Sequence, residues 1–302
     1  MADLRVQFGG LSLPNPVLTA SGTYGFGREF ENLYPLTLPG AIMSKGLTLN
    51  PSAGNPTPRI AETPAGMLNS IGLENPGIDA FISDELPWML ARGARVIANI
   101  GGHTLSDYEE MSRRLREAEG LLAIEVNISC PNLDSGGMLF GCDPLLAEKA
   151  VSLVKKHSKV PVIAKLTPNV TDIVEVAKAA VSGGADILTL INTLLGMAID
   201  TKTRRPVLAR KVGGLSGPAI KPVALRMVWQ VAQAVDVPII GIGGIVSASD
   251  AIEFFLAGAH AIALGTVNLV DPYRLPEIIE GINQWLDQEN YSSVNDIRGL
   301  AI

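Results

Sequence analysis

The chain is short of the residues that build metal sites and disulfide frameworks. Its 302 residues include two cysteines and three histidines. Cys130 and Cys142 cannot form a disulfide scaffold, and they are too few for an iron–sulfur cluster, which normally takes four protein ligands. His103, His157 and His260 are scattered without the spacing of a metal site and read as structural or surface residues. Positive charge is also scarce: 24 Lys and Arg against 30 Asp and Glu give a formal net charge of -6. That balance argues against a nucleic acid or an anionic membrane as partner. Long apolar runs are missing as well. The first ten residues hold no signal core, and the longest charge-free stretch, residues 6 to 27, is broken by five glycines and two prolines. The expectation is a soluble, cytoplasmic protein with no membrane segment.

What is present is a sizeable apolar core, at 47% hydrophobic residues, distributed in short pieces. Eight apolar runs are bounded by turn residues: Pro16 to Ala20, Ala41 to Ser44, Arg95 to Ile100, Ala123 to Ser129, Val162 to Leu166, Ile187 to Ile191, Ile239 to Ile242 and Ala261 to Leu264. They lack polar alternation, as strands buried on both faces should. Helix signals fall between them. Ser106-Asp107-Tyr108-Glu109 has capping-box spacing for a helix to about Glu119, Thr171 can cap Asp172 to Val181 ahead of Gly183-Gly184, and Ser249 can cap a helix ending near Gly258. Strand and helix alternate to the end, which predicts an α/β chain forming a single (β/α)8 TIM barrel over residues 1–302. An open doubly wound sheet is the alternative.

Two features exceed a minimal barrel. Phe8-Gly9-Gly10-Leu11 reads as an N-terminal hairpin turn that closes the bottom of the barrel. Residues 46 to 94 form a connection much longer than one helix needs, rich in Pro and Gly, and part of it is expected over the active face.

Barrel enzymes place their chemistry at the C-terminal ends of the strands. Here those ends carry Ser21, Lys45, Asn99, Asn127, Lys165, Asn192, Gly243-Gly244 and Gly265-Thr266. A buried ammonium is costly unless it meets an anion or a dipole, so Lys45 and Lys165 point to a ligand that carries or gains negative charge. Lys165 suits a ring that becomes anionic, as a reduced flavin does; a Schiff-base lysine is the competing reading. The glycines after strands 7 and 8 lie where many barrels bind phosphate through backbone N–H groups, the alternative being tight turns only. Asn69, Asn127, Asn132 and Asn192, with Thr193, offer donors and acceptors to a planar ligand edged with carbonyl and N–H groups, such as an imide or pyrimidine. Cys130, flanked by two carboxamides, serves as a base or a nucleophile. No histidine is near it in sequence to support a nucleophile, so general base is preferred over that role and over a small buried apolar residue.

These residues resemble one family, the class 1 dihydroorotate dehydrogenases, which are FMN-containing barrels of pyrimidine biosynthesis. The likeness runs through Leu18-Thr19-Ala20-Ser21-Gly22, Ser44-Lys45-Gly46, Asn69-Ser70-Ile71-Gly72-Leu73, Asn127-Ile128-Ser129-Cys130-Pro131-Asn132, Ile191-Asn192-Thr193, Gly213-Gly214-Leu215-Ser216-Gly217, Gly243-Gly244 and Gly265-Thr266. Cysteine at 130 resembles class 1, where the membrane-associated class 2 has serine. The segment from Ser135 to Pro144 is similar to the NAD-dependent type 1B catalytic subunit, although Cys142 stands where threonine is expected. The resemblance implies that Cys130 takes the C5 proton of dihydroorotate while the C6 hydride passes to flavin. It assigns substrate binding to Lys45, Asn69, Ser70, Ile71, Gly72, Leu73, Asn127, Asn192 and Thr193, with a further contact from Asn132. It assigns FMN to Ser21, Lys45, Gly46, Asn99, Asn127, Lys165, Ile191, Gly217, Gly243, Gly244, Gly265 and Thr266, the last four around the phosphate. It also implies a partner subunit carrying FAD and a [2Fe-2S] cluster, joined to a homodimer of this chain in a heterotetramer. The other readings carried forward are a fumarate-dependent homodimer (type 1A), a flavin enzyme acting on uracil or thymine, and a phosphate-binding barrel without redox chemistry.

Overall fold

A two-stranded hairpin opens the chain, Val6–Phe8 (β1) and Leu11–Leu13 (β2), paired antiparallel with Phe8 opposite Leu11. Gly9 and Gly10 between them have φ of 53° and 84°, the left-handed pair that a tight hairpin turn of this length demands. Period-two alternation puts Val6, Phe8, Leu11 and Leu13 on one face, and that face is buried. The computed structural model describes residues 2–129, 131–132 and 138–302, with backbone alone at 131–132 and 138–139.

The chain then enters a closed parallel barrel. Its strands begin with Val17–Thr19 (β3) and Ile42–Met43 (β4). Before the next barrel strand come Ile60–Thr63 (β5), Gly66–Asn69 (β6) and the short helices Ile78–Ala80 (α1) and Leu86–Ala91 (α2). Val96–Ile100 (β7), Leu105–Leu115 (α3) and Leu121–Asn127 (β8) follow, then a short antiparallel pair, Pro131–Asn132 (β9) and Met138–Leu139 (β10). Pro144–His157 (α4), Val162–Lys165 (β11), Ile173–Ser182 (α5) and Ile187–Leu190 (β12) continue the alternation. A second excursion holds Leu194–Met197 (β13), Ile199–Asp200 (β14), Arg205–Pro206 (β15) and Val212–Ser216 (β16). Lys221–Ala232 (α6), Ile239–Ile242 (β17), Ala248–Leu256 (α7), Ala261–Leu264 (β18), Val267–Val270 (α8), Arg274–Gln288 (α9) and Val294–Ile297 (α10) complete the described elements. The barrel closes in the order β3-β4-β7-β8-β11-β12-β17-β18. These eight strands are the eight apolar runs, and the fold is a (β/α)8 barrel.

Three expectations about the helices change. Thr104, with extended backbone, caps α3 and forms the capping box with Asp107, so Ser106 lies inside the first turn and the helix stops at Leu115. Asp172, not Thr171, caps α5, and Ser247, not Ser249, caps α7. In each case an oxygen-bearing residue one or two positions away takes the cap, and its extended backbone aims its oxygen at the first free N–H groups. Alternation also fails once: no helix lies between β3 and β4. Turns there bury Tyr24, Phe30, Tyr34 and Leu36, with the Tyr24 and Phe30 rings stacked 4.0 Å apart. The late helix α9 packs against β3 instead.

Side-chain alternation divides the barrel core. One buried cluster joins the hairpin face to Leu18, Ala41, Met43, Ile97, Ala123, Ile163, Ile187, Ile240 and Ala261, the inward positions of all eight strands. A Cβ on Gly9 would sit 2.3 Å from Ile187, and one on Gly10 would sit 2.9 Å from Pro161. The hairpin therefore seals the N-terminal end, as expected. At the opposite end, β5 and β6 join β13 and β16 in one antiparallel sheet of order β13-β16-β6-β5. Residues 46 to 94 were expected near this face; the pairing partner from residues 194–216 was not foreseen. Among the described residues, no helix is long and apolar enough to cross a membrane.

Candidate active site

The same alternation that aims Ile97, Ala123 and Ile163 inward aims Asn99, Glu125, Asn127 and Lys165 inward one or two layers higher. Asn99 lies opposite Glu125, and Lys165 opposite Asn127, in the strand register. Asn99, Glu125 and Lys165 are all buried, at 1%, 0% and 4% exposure. Lys165 Nζ donates to Ser21 Oγ at 2.9 Å and lies 3.9 Å from a Glu125 carboxylate oxygen. Asn99 Nδ2 donates to the same Glu125 oxygen, and the Asn99 backbone N–H is taken by Ser44 Oγ at 3.1 Å. Ser44, Asn99, Glu125, Lys165 and Ser21 thus form a polar chain across neighbouring strands. Three buried acceptors beside it, Asn99 Oδ1, Glu125 Oε1 and Thr189 Oγ1, have no hydrogen-bond partner among the described residues. Unpaired buried polar atoms are unusual, and a group of them in one layer marks a place that a polar ligand completes.

Above this layer the carboxamides lock one another. Asn192 Nδ2 donates to Asn127 Oδ1 at 3.2 Å and to Ser129 Oγ at 2.9 Å, while Asn192 Oδ1 takes the Thr193 N–H at 2.8 Å. Asn127 Oδ1 also accepts the Ser129 N–H, and Tyr108 donates its hydroxyl to the Asn127 carbonyl. Asn169 accepts the Leu195 N–H and donates to the Thr193 carbonyl, tying the start of the second excursion to the end of β11. Across the antiparallel sheet, Asn69 pairs with Gly214 in register and donates to its carbonyl at 3.3 Å.

The family comparison agrees with this barrel over nearly its full length. A model of the dihydroorotate dehydrogenase family matches residues 3–286. The chain belongs to the dihydroorotate dehydrogenase family. It is 55% identical over 300 residues to the dihydroorotate dehydrogenase B (NAD(+)) catalytic subunit of Geotalea uraniireducens, covering 99% of this chain and 98% of that protein. The proteins of the same name from Alkaliphilus oremlandii and Bacillus pumilus are each 54% identical, covering 98% and 99% of this chain and 98% and 96% of their own lengths.

For a dihydroorotate dehydrogenase, the remaining anticipated residues fall in three places. Ser21, Asn99, Asn127, Lys165, Asn192 and Thr193 lie in the polar layer or directly on it. Gly46 joins them to the first excursion: a Cβ there would meet Leu73 at 3.0 Å and Asn99 Oδ1 at 3.1 Å. Lys45 is half-buried, and its ammonium has no partner among the described residues. Ile191 is buried and donates its N–H to Ile242. The glycines form the second place. Gly217, Gly243 and Gly244 have φ of 92°, 132° and 75°, open to glycine at little cost. A Cβ on Gly244 would lie 2.9 Å from the Gly217 carbonyl, whereas one on Gly265 would meet nothing nearer than Ala20 at 3.8 Å. Thr266 donates to Ser216 at 2.7 Å, connecting this rim to the end of β16. The third place is the loop after β6. Ser70 accepts from Asn55 Nδ2 at 3.1 Å and a Cβ on Gly72 would strike Asn55, so these two shape the loop, while the Ile71 carbonyl accepts the Asn55 N–H.

Cys130 lies outside the described residues, as does the side chain of Asn132. Cys142 is half-buried and donates to the Asn169 carbonyl at 3.4 Å, with burial pushing its thiol up. Sequence reasoning passed over Glu125, Ser44 and Thr189. The signal was available for Glu125: it is the one charged residue in an otherwise apolar run, and it shares strand parity with Asn127.

Proposed function

We propose that this chain is the catalytic subunit of an NAD-linked dihydroorotate dehydrogenase, oxidising dihydroorotate to orotate in pyrimidine biosynthesis. The observation that carries the reading is the buried Lys165 ammonium, held by Ser21 at the C-terminal end of the barrel beside acceptors that no described residue satisfies. A flavin ring, edged with N–H and carbonyl groups and gaining negative charge on reduction, fits that donor and acceptor set. FMN, when bound, supplies the acceptor for the C6 hydride. Ser21, Lys45, Gly46, Asn99, Asn127, Lys165, Ile191 and Gly217 would hold it, and Gly243, Gly244, Gly265 and Thr266 would surround its phosphate, where the positive φ of Gly243 and Gly244 lets backbone N–H groups approach oxygen closely.

Dihydroorotate takes its place between this layer and the antiparallel sheet. Lys45, whose ammonium has no partner among the described residues, answers the substrate carboxylate, and the locked carboxamides of Asn127 and Asn192, with Asn69, Thr193 and the loop 70–73, read its ring edge. Cys130 removes the C5 proton, with Asn132 as a further substrate contact. The Asn127 and Asn192 hydrogen bonds that fix Ser129 steady the backbone immediately before that cysteine, which supports its use as a positioned base. The names of the relatives favour NAD over fumarate as final acceptor. Electrons then leave through a partner subunit bearing FAD and [2Fe-2S], around a homodimeric core in the cytoplasm, with the whole chain acting as one catalytic domain.

The test is anaerobic mixing of the purified chain with dihydroorotate while the visible flavin band is followed. Bleaching supports the reading. A yellow protein that stays oxidised moves the substrate elsewhere, and a colourless one that takes up no FMN overturns the assignment.

A further inference from the structure

We propose that Glu125 is a positioning residue whose carboxylate is the fixed counterion of Lys165 and so sets how strongly that ammonium favours reduced over oxidised flavin. The inference rests on the FMN reading above. Among the described residues, the charged side chains that are buried are Glu125, Lys165 and Asp250. Asp250 meets Lys221 in direct contact at 2.6 Å, where it also accepts from Ser247 at the start of α7. The Glu125 pair is built differently. Its carboxylate is anchored to Asn99, and Lys165 is anchored to Ser21, so the two charges stand 3.9 Å apart, beyond hydrogen-bond reach.

That spacing has a chemical consequence. An ammonium has three N–H donors, and here one goes to Ser21 while none goes to the carboxylate. Lys165 therefore keeps donors for a ligand, yet its charge is partly offset at a fixed distance by a carboxylate buried from bulk solvent. Glu125 Oε1, fully buried and without a partner among the described residues, adds negative potential to the same layer. A closer pair would consume the donors, and a bare lysine would stabilise an anionic ring more strongly. Ser44 steadies the arrangement through the Asn99 N–H, so the spacing is held from strands β4, β7, β8 and β11 together.

Glu125→Gln tests this, because glutamine keeps the shape and an acceptor for Asn99 but removes the charge. The midpoint potential of the bound FMN, read by anaerobic dye titration, is expected to move positive by about 30 mV or more, the equivalent of a tenfold change for a two-electron couple. Glu125→Asp is expected to return most of the shift, and Lys165→Met to move the potential negative. A residue that merely fills space would leave the potential where it was. Thermal unfolding gives the second readout: Glu125→Gln is expected to lower Tm more than Glu125→Gln combined with Lys165→Met, since removing one member of a buried pair strands the other. A potential unmoved in Glu125→Gln, or strictly additive losses in Tm, would overturn the inference. Wild-type protein that holds no FMN would instead overturn the reading of the site, so the two failures are distinguishable.

Discussion

At the N-terminal end of the barrel the strands rest on a hairpin whose Val6, Phe8, Leu11 and Leu13 merge with the inward apolar residues in one buried cluster. At the C-terminal end the same strands present Asn99, Glu125, Asn127 and Lys165, with buried acceptors that have no partner among the described residues. The strands are continuous, so the contrast comes from the last two or three residues of each and from what covers them. A local hairpin of eight residues closes one end, while the sheet over the other pairs residues 145 positions apart, Asn69 opposite Gly214. One end is apolar and packed and the other polar, and, on the proposed function, substitutions at the two ends should separate stability from activity.

The largest separation is expected from Cys130→Ser. Losing a general base slows the dependent step by about 10²- to 10⁴-fold, so reduction of the flavin by dihydroorotate at neutral pH should fall by that factor while Tm stays within a degree or two of wild type. Stopped-flow absorbance at the flavin band measures the first and calorimetry the second. Near-normal reduction would remove Cys130 from the mechanism.

A pair of glycine substitutions sharpens the comparison at intermediate size. Alanine at Gly9 must hold φ near 53° and places a methyl group 2.3 Å from Ile187, which together cost about 2–4 kcal/mol. Its Tm should drop by several degrees with kcat/KM of the surviving enzyme little changed. Alanine at Gly66 places its methyl 1.9 Å from the Ser216 carbonyl oxygen and 3.4 Å from Gly217, so β6 must part from β16. There the expected outcome is reversed: a smaller loss in Tm and a rise of roughly tenfold in KM for dihydroorotate, as the residues proposed to bind substrate lose their register. Equal thermal losses with unchanged KM in both would dissolve the distinction between the ends.

The unequal legibility of the two ends has the same origin. All eight strands could be read because burial on both faces writes each as a continuous apolar run, and the residue that ends each run lies at the C-terminal rim, where barrels place their chemistry. Gly9-Gly10 was equally plain, since a two-residue turn depends only on its neighbours. The antiparallel sheet was not visible. Its strands carry exposed residues such as Ile60, Leu195, Met197 and Val212, and no local signal says that residues 66–69 pair with residues 214–216. Helix caps slipped by one or two positions where Thr104 and Ser106, or Ser247 and Ser249, offered similar oxygens. The choice falls to whichever backbone is extended, a property of the fold. Glu125 was passed over because an acid inside an apolar run reads as an interruption until strand parity places it beside Lys165.

The smallest expected effect concerns a titrating group at the sealed end. His260 packs its ring against Phe8 at 5.8 Å between centroids and accepts the Ile239 N–H at Nδ1, at 3.4 Å. Burial, aided by the nearby Arg298 charge, pushes its pKa down to about 4. The folded chain therefore resists a proton that the unfolded chain accepts from about pH 6.5 downward. Stability from this residue is complete above pH 6.5 and is lost as pH falls from 6.5 to about 4, because the unfolded state binds more protons across that window. His260→Asn should flatten this part of the Tm-versus-pH curve at some cost in Tm at neutral pH, where the ring's packing is lost. The carboxylates that titrate nearby contribute equally to both proteins, so the difference between the two curves isolates the histidine. Parallel curves from pH 7 to 4.5 would show that charging His260 costs the hairpin end nothing, and that the seal at the bottom of the barrel tolerates water and charge as readily as the top does.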